Sequence, residues 1–282
     1  MNTLLLILEI IGIIALILCI LGLINKPFSI YANDKSNQNP LEGQTVVFVE
    51  DENDIVNADG VKGHLKTVGH ESRRASFYGL VIKRFFDIIM SLAGMIILSP
   101  VFLFLSIWIL IDDPGPILFT QKRLGQNKRY FKLHKFRSMK MCTPHDRPTH
   151  MLDNPEQYIT KAGKFIRAHS LDELPQIWDI FIGNMSVVGP RPGLWNQDVL
   201  TAERDKYGAN SIKPGLTGWA QINGRDELEI PDKARLDGEY VKNLGIAMDL
   251  KCFFGSIGVF TGDESVVEGG TGAIENEKQF RK

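Results

Sequence analysis

From Lys83 to Asp112 the chain reads KRFFDIIMSLAGMIILSPVFLFLSIWILID, an apolar run interrupted in its middle by Ser99-Pro100. Taken straight, residues 85–111 are long enough to span a bilayer. Pro100 removes one backbone donor and crowds the preceding turn, and Ser99 is biased away from helix by the proline after it. Asp112-Asp113-Pro114-Gly115-Pro116 ends the run. Two structures fit: a kinked helix that crosses, or a re-entrant helix-break-helix that enters a membrane and returns to the same face. Charge favours re-entry. Lys83 and Arg84 precede the run, and eight Lys and Arg residues follow it between Lys122 and Lys140. Only a return to the starting face keeps both groups on the cytoplasmic side that basic residues prefer. The backbone groups freed at the break then need partners from packed protein or from Ser99.

Upstream, Thr3 to Ile24 is apolar except for Glu9, long enough for a transmembrane helix. A signal peptide competes, but no basic n-region precedes the run and Leu21-Gly22-Leu23 is no small-residue cleavage site. Lys26 and Lys35 follow it, which places the N-terminus outside and the rest in the cytoplasm. Residues 31–77 are polar and read as a tether, with Val46-Val47-Phe48-Val49 as a short strand within it. The net charge of −1 implies no general affinity for nucleic acid. Three scattered cysteines (Cys19, Cys142 and Cys252) fit neither a disulfide framework nor a zinc site.

Downstream, residues 117–139 alternate as strand, turn and strand, with the turn at Arg123–Asn127. Helical spacing of Leu171, Leu174, Ile177 and Trp178 predicts helix over 154–182, with Asp179 on its polar side. Residues 197–208 and two stretches within 232–260 are also helical in pattern, and Lys213–Gln221 is a Gly/Pro-rich loop into a short strand. The whole reads as α+β, mainly α, and membrane-associated. Its expected parts are an N-terminal transmembrane helix at 1–30, the tether at 31–77, a small cytoplasmic catalytic domain at 78–270 that includes the re-entrant 83–111 and a short β-hairpin, and a polar tail at 271–282.

The chemistry centres on Asp172-Glu173. Adjacent carboxylates on a helix point roughly 100° apart, so they need not share one role. One can attack a phosphoryl group while the other holds a metal. The plainer reading is a solvated pair in a helix's first turn, with Ser170 as N-cap. Lys135, Arg137, Arg167, Arg191 and Arg225 sit in or beside segments broken by Gly, Pro or Ser. Together such cations suit a pyrophosphate, while each alone is an ordinary surface charge. The six histidines lack metal-ligand spacing, and no Gly-rich phosphate loop or nucleophile elbow occurs.

Seven blocks in order then carry a resemblance. They are Lys83-Arg84-Phe85-Phe86-Asp87; Ser99-Pro100; Gly115-Pro116 with Phe119, Gln121 and Arg123; Lys135-Phe136-Arg137-Ser138-Met139; Leu171-Asp172-Glu173-Leu174-Pro175-Gln176; Met185-Ser186-Val187-Val188-Gly189-Pro190-Arg191-Pro192; and Lys213-Pro214-Gly215-Leu216-Thr217-Gly218-Trp219. Over residues 78–270 the chain resembles the bacterial sugar transferases, monotopic phosphoglycosyl transferases that load a sugar phosphate onto undecaprenyl phosphate. The resemblance implies that Asp172 attacks the β-phosphate of a UDP-sugar, releasing UMP, and that undecaprenyl phosphate then takes the phosphosugar. It implies Mg²⁺ held by Glu173 and Asp172. Arg191 would contact the nucleotide, and Arg167, Lys135, Arg137 and Arg225 would steady phosphates. Lys83 and Arg84 would lie near the lipid phosphate, and Ser99-Pro100 would form the re-entrant break. The expected setting is the bacterial cytoplasmic membrane, at the first membrane step of exopolysaccharide, capsule, O-antigen or glycoprotein glycan synthesis, beside downstream glycosyltransferases. An inactive membrane scaffold of a polysaccharide assembly complex is the alternative. A two-carboxylate glycoside hydrolase fits poorly, since adjacent residues can hardly flank a glycosidic bond. Glu268-Gly269-Gly270-Thr271 departs from relatives that have a histidine after the glycine.

Overall fold

The computed structural model describes residues 38–70, 76–143, 155–224 and 228–262. The expected transmembrane helix at 1–30, Arg225 and the tail at 271–282 lie outside the described residues. Strands β1 (Gln44–Glu50) and β2 (Gly63–His70) form an antiparallel hairpin. A π-helical turn, Tyr78–Ile82, leads into α1 (Lys83–Ile97) and α2 (Ser99–Asp112). A second hairpin joins β3 (Leu118–Leu124) to β4 (Tyr130–Phe136). Helices α3 (Lys161–Ala168) and α4 (Gln176–Ile182) flank a 3-10 turn at Leu171–Glu173. Then come β5 (Ser186–Val188), α5 (Asp198–Lys206) and β6 (Gly215–Thr217), which pairs in parallel with β5. The helices α6 (Trp219–Ile222), α7 (Ile230–Lys242) and α8 (Ile246–Gly262) complete the described chain. Among the described residues the fold is thus mixed helix and strand, with three two-stranded sheets.

Among the described residues no single helix is long and apolar enough to cross a membrane, but α1 with its π turn and α2 qualify as a pair bent by 60°. The break falls at Leu98, and Pro100 sits in the first turn of α2, where a missing N–H costs nothing. The residue at 100 would otherwise donate to the Ile96 carbonyl. Ser99 Oγ donates to that oxygen instead, at 2.8 Å. The two residues read as the break therefore act together: one removes the helical bond and the other satisfies its acceptor.

Helix α1 buries Arg84, Asp87, Ile88 and Ser91 at helical spacing and exposes Phe85, Phe86, Ile89 and Met90. Its polar inner face grips the C-terminal half of the chain. Arg84 donates to the Ile180 and Phe181 carbonyls, each at 2.7 Å, where α4 ends at left-handed Gly183. Asp87 Oδ1 accepts from Ser186 Oγ and the Val187 N–H, both at 2.8 Å. Helix α2 sinks Leu105 and Ile109 into a cluster with Phe136, Ala162 and Ile166, while Leu103, Phe104, Ile107 and Ile111 face outward. At its end, Asp112 Oδ2 accepts the Ala162 N–H at 2.7 Å, reinforcing the Thr160 cap of α3.

Three local readings change. Residues 44–70, read from composition as part of a tether, form a hairpin packed on α5. Its anchors are distant in sequence: Asp205 Oδ2 accepts the Val46 N–H at 2.8 Å, and Asp205 also pairs at 3.0 Å with Lys128, which is fully buried. Asp59, in the loop between the strands, caps α5 by accepting the Val199 and Leu200 N–H groups at 2.8 and 3.4 Å. The helix expected over 154–182 is divided, because Ser170 takes a left-handed φ of 52° and Pro175 stands just before α4. Asp179 is wholly buried rather than on a polar face, accepting the His134 N–H and pairing with its ring, both at 2.9 Å.

Candidate active site

Asp172 and Glu173 occupy the 3-10 turn that left-handed Ser170 opens. The Ser170 side chain accepts no capping hydrogen bond and both carboxylates are buried, so the plain reading of a solvated first-turn pair does not describe them. A non-glycine residue held at positive φ is strained, and such strain concentrates at working sites. The turn leaves both carboxylates nearly buried and brings them to one ammonium: Lys135 Nζ, on β4, lies 3.2 Å from Asp172 Oδ2 and 2.9 Å from Glu173 Oε1. Arg191 adds a fork, its two terminal nitrogens 3.1 and 2.5 Å from the Glu173 oxygens. Burial alone would push the Glu173 carboxyl up. The Arg191 and Lys135 charges outweigh it and hold the group far below the usual carboxylate range. Asp172 differs: its Oδ1 is buried with no hydrogen-bond partner among the described residues. One carboxylate is neutralised on both oxygens, and its neighbour keeps one oxygen open.

Close backbone packing aims Arg191. A Cβ on Gly189 would stand 2.6 Å from the Lys213 carbonyl, and one on Gly215 would stand 2.1 Å from the Gly189 nitrogen. Only glycines let the β5 end approach β6 so nearly, which accounts for Gly in both blocks. Arg123 donates to the Pro192 carbonyl at 3.0 Å and braces the segment beyond.

Ser170, Glu173 and Arg191 open onto a cleft of about 560 Å³ whose walls come from α5, β6, α6, α7 and α8. Its apolar lining includes Leu174, Ile177, Val187, Leu216 and Phe253. Its polar lining was not singled out from sequence. Arg204 and Asp237 form a buried pair at 2.7 Å across α5 and α7. Burial pushes the Asp237 carboxyl up while the Arg204 guanidinium pulls it down. Gln221 also lines the cleft. No motif marks these residues, because they meet only through tertiary packing of helices far apart in sequence.

The other expected cations stand apart from the carboxylates. Lys83 pairs with Asp249 at 2.6 Å, in a cluster where Tyr78 and Tyr240 donate to the same carboxylate. Arg84 caps α4, as above. Arg137 donates to the Asp113 carbonyl and lies 3.5 Å from its carboxylate. Arg167 is half-buried on α3. Carboxylate oxygens suit a hard divalent cation; the unpartnered Asp172 Oδ1 fits one, while both Glu173 oxygens are taken by Lys135 and Arg191.

Residues 78–263 match the family model described as bacterial sugar transferase. The chain is similar to exopolysaccharide production protein PSS of Rhizobium leguminosarum bv. phaseoli, 37% identical over 63% of this chain and 94% of that protein. It is similar also to undecaprenyl-phosphate glucose phosphotransferase of Komagataeibacter xylinus, 36% identical over 65% of this chain. UDP-glucose:undecaprenyl-phosphate glucose-1-phosphate transferase of Escherichia coli is 35% identical over 62% of it. The matched regions make up only 36% and 39% of the latter two proteins. The β1–β2 hairpin precedes the matched residues. By the extent of that match, the chain belongs to the bacterial sugar transferase family.

Proposed function

We propose that this protein transfers a sugar 1-phosphate from a UDP-sugar to undecaprenyl phosphate, releasing UMP, in exopolysaccharide or capsule synthesis. The observation that carries the reading is the unequal carboxylate pair: Asp172 with one unpartnered oxygen, beside Glu173, which Lys135 and Arg191 hold ionised and which lines a large cleft. The names of the relatives support the acceptor and the donor class.

In this reading Asp172 Oδ1 attacks the β-phosphorus, and the bond between that phosphorus and the bridging oxygen to the α-phosphate breaks. UMP departs with the bond's electron pair, leaving an aspartyl phosphosugar. A phosphate oxygen of undecaprenyl phosphate then attacks the same phosphorus and the acyl-phosphate bond breaks, restoring the carboxylate. Lys135 and Arg191 offset charge on the transferred phosphate. Asp172 and Glu173 would hold Mg²⁺, which supplies further positive charge for the diphosphate.

The bent α1–α2 pair is the re-entrant element in the bacterial cytoplasmic membrane, with the catalytic residues on the cytoplasmic side. Its outward Phe, Ile, Leu and Met side chains support this, since exposed apolar surface so extensive marks an interaction face. The test is UMP release from a panel of UDP-sugars by protein with Mg²⁺ and undecaprenyl phosphate, beside Asp172→Asn. Release lost in the variant is expected. Undiminished release by Asp172→Asn would remove the nucleophile assignment.

A further inference from the structure

The cleft holds a second polar feature that the carboxylate chemistry leaves unused. Both amide atoms of Gln221, Oε1 and Nε2, are buried without a hydrogen-bond partner among the described residues, and so is Asp237 Oδ1. Both residues line the cleft. Asp237 is anchored through its other oxygen, which takes Arg204 Nε at 2.8 Å, so Oδ1 is held in place. Gln221 follows Gly218, where a Cβ would stand 2.8 Å from Gln221 Oε1, so the absence of a side chain there leaves room for the amide. Leaving a buried polar group unsatisfied is costly. Three such atoms lining one cavity mark a place where a ligand completes the bonding.

We infer that Gln221 and Asp237 read the nucleoside of the donor, Gln221 through the imide edge of a pyrimidine base and Asp237 through a ribose hydroxyl. This rests on the reading of the cleft as a nucleotide-sugar site. The amide offers a donor beside an acceptor, and the uracil edge offers an acceptor beside a donor, so the two pair through two bonds. The apolar cleft residues suit the faces of the base. Glu173 and Arg191, which line the same cleft, then face the diphosphate and sugar, with Asp172 beside them. Gln221 and Asp237 are specificity residues and touch no reacting atom.

The test uses the full chain in detergent or nanodiscs and two readouts: binding of UMP, CMP and dUMP, and steady-state transfer from the preferred UDP-sugar. Gln221→Met keeps length and apolar volume but removes both amide atoms. It should weaken UMP binding about tenfold, raise KM for the donor in parallel and leave kcat unchanged. Asp237→Asn should erode the preference for UMP over dUMP. Because it touches the Arg204 pair, its melting temperature is read alongside. Wild-type-like UMP affinity in Gln221→Met would overturn the inference. Wild-type protein that binds UMP selectively but transfers no sugar phosphate would sustain it and remove the transferase reading. Protein that neither binds nor transfers would remove both.

Discussion

Replacing Lys135 by alanine isolates what the ammonium does for the carboxylate pair. Lys135 is the cation within bonding distance of Asp172, at 3.2 Å, while the Arg191 guanidinium is committed to Glu173. A hydrogen bond between charged groups contributes about 1.5–3 kcal/mol. In the proposed mechanism that ammonium bonds the transferred phosphate in the transition state, and at roughly 1.4 kcal/mol per factor of ten its loss lowers the rate by about 10- to 150-fold. The loss should fall on kcat more than on KM, because the ammonium faces the reacting carboxylate and lies outside the lining of the large cleft. Initial rates of UMP release across donor concentrations give both constants. Lys135→Arg, which restores charge with a different shape, should recover part of the rate. Lys135→Ala with an unaltered melting temperature and a rate within about threefold of wild type would refute the reasoning, since even the weakest bond of this kind is worth more than that.

Other expectations follow from the same geometry. The Glu173 carboxyl titrates below its ordinary 4.5, so the stability it contributes is complete above that pH and is lost as pH falls beneath it. Melting temperatures of wild type and Glu173→Gln should therefore converge on acidification; a constant gap would contradict the assigned pairing. Asp59→Ala removes the carboxylate cap of α5 and should cost about 1 kcal/mol, with faster amide exchange at Val199 and Leu200; unchanged exchange there would show that the cap is not effective. Lys128→Met leaves the Asp205 carboxylate buried without its cation, a loss of about 3–5 kcal/mol by urea unfolding, and Asp205→Asn in the same chain should recover part of it. Pro100→Ala returns an N–H to the Ile96 carbonyl and should tend to straighten the α1–α2 pair; cysteine accessibility on either side that still reports one face would count against it.

Sequence made the bend, the β3–β4 hairpin and the acidic pair legible, and physics says why. Pro100 acts on its own backbone, the alternation in Tyr130–Phe136 reports a half-buried strand, and the left-handed Ser170 changes the local turn without moving the acidic pair out of the site. What escaped depends on partners far along the chain. Nothing in the polar composition of residues 44–70 announces Asp205, which is 159 residues from Val46. Asp179 looked solvated because its partner, His134, lies on another element. Lys83 and Arg84 read as cations near a lipid phosphate, because their partners in the fold, Asp249 and the end of α4, lie far along the chain. Arg204, Asp237 and Gln221 carry no local signature, and their convergence is a product of helix packing.

The grip of Arg84 on the end of α4 makes the fold a depth gauge. Helix α4 has seven residues, so at a rise of 1.5 Å each it is a rod of about 10 Å. One end is held by Arg84 on α1, and Glu173 stands three residues before the other. Asp87 holds β5, on the way to Arg191, from the same helix. Height above the apolar face and position of the reacting carboxylates are therefore one measurement, machined into one part. In the proposed re-entrant placement, a thicker or thinner bilayer could not be accommodated by sliding α1 past the site. It must shift the whole body, or the lipid must bend to meet it.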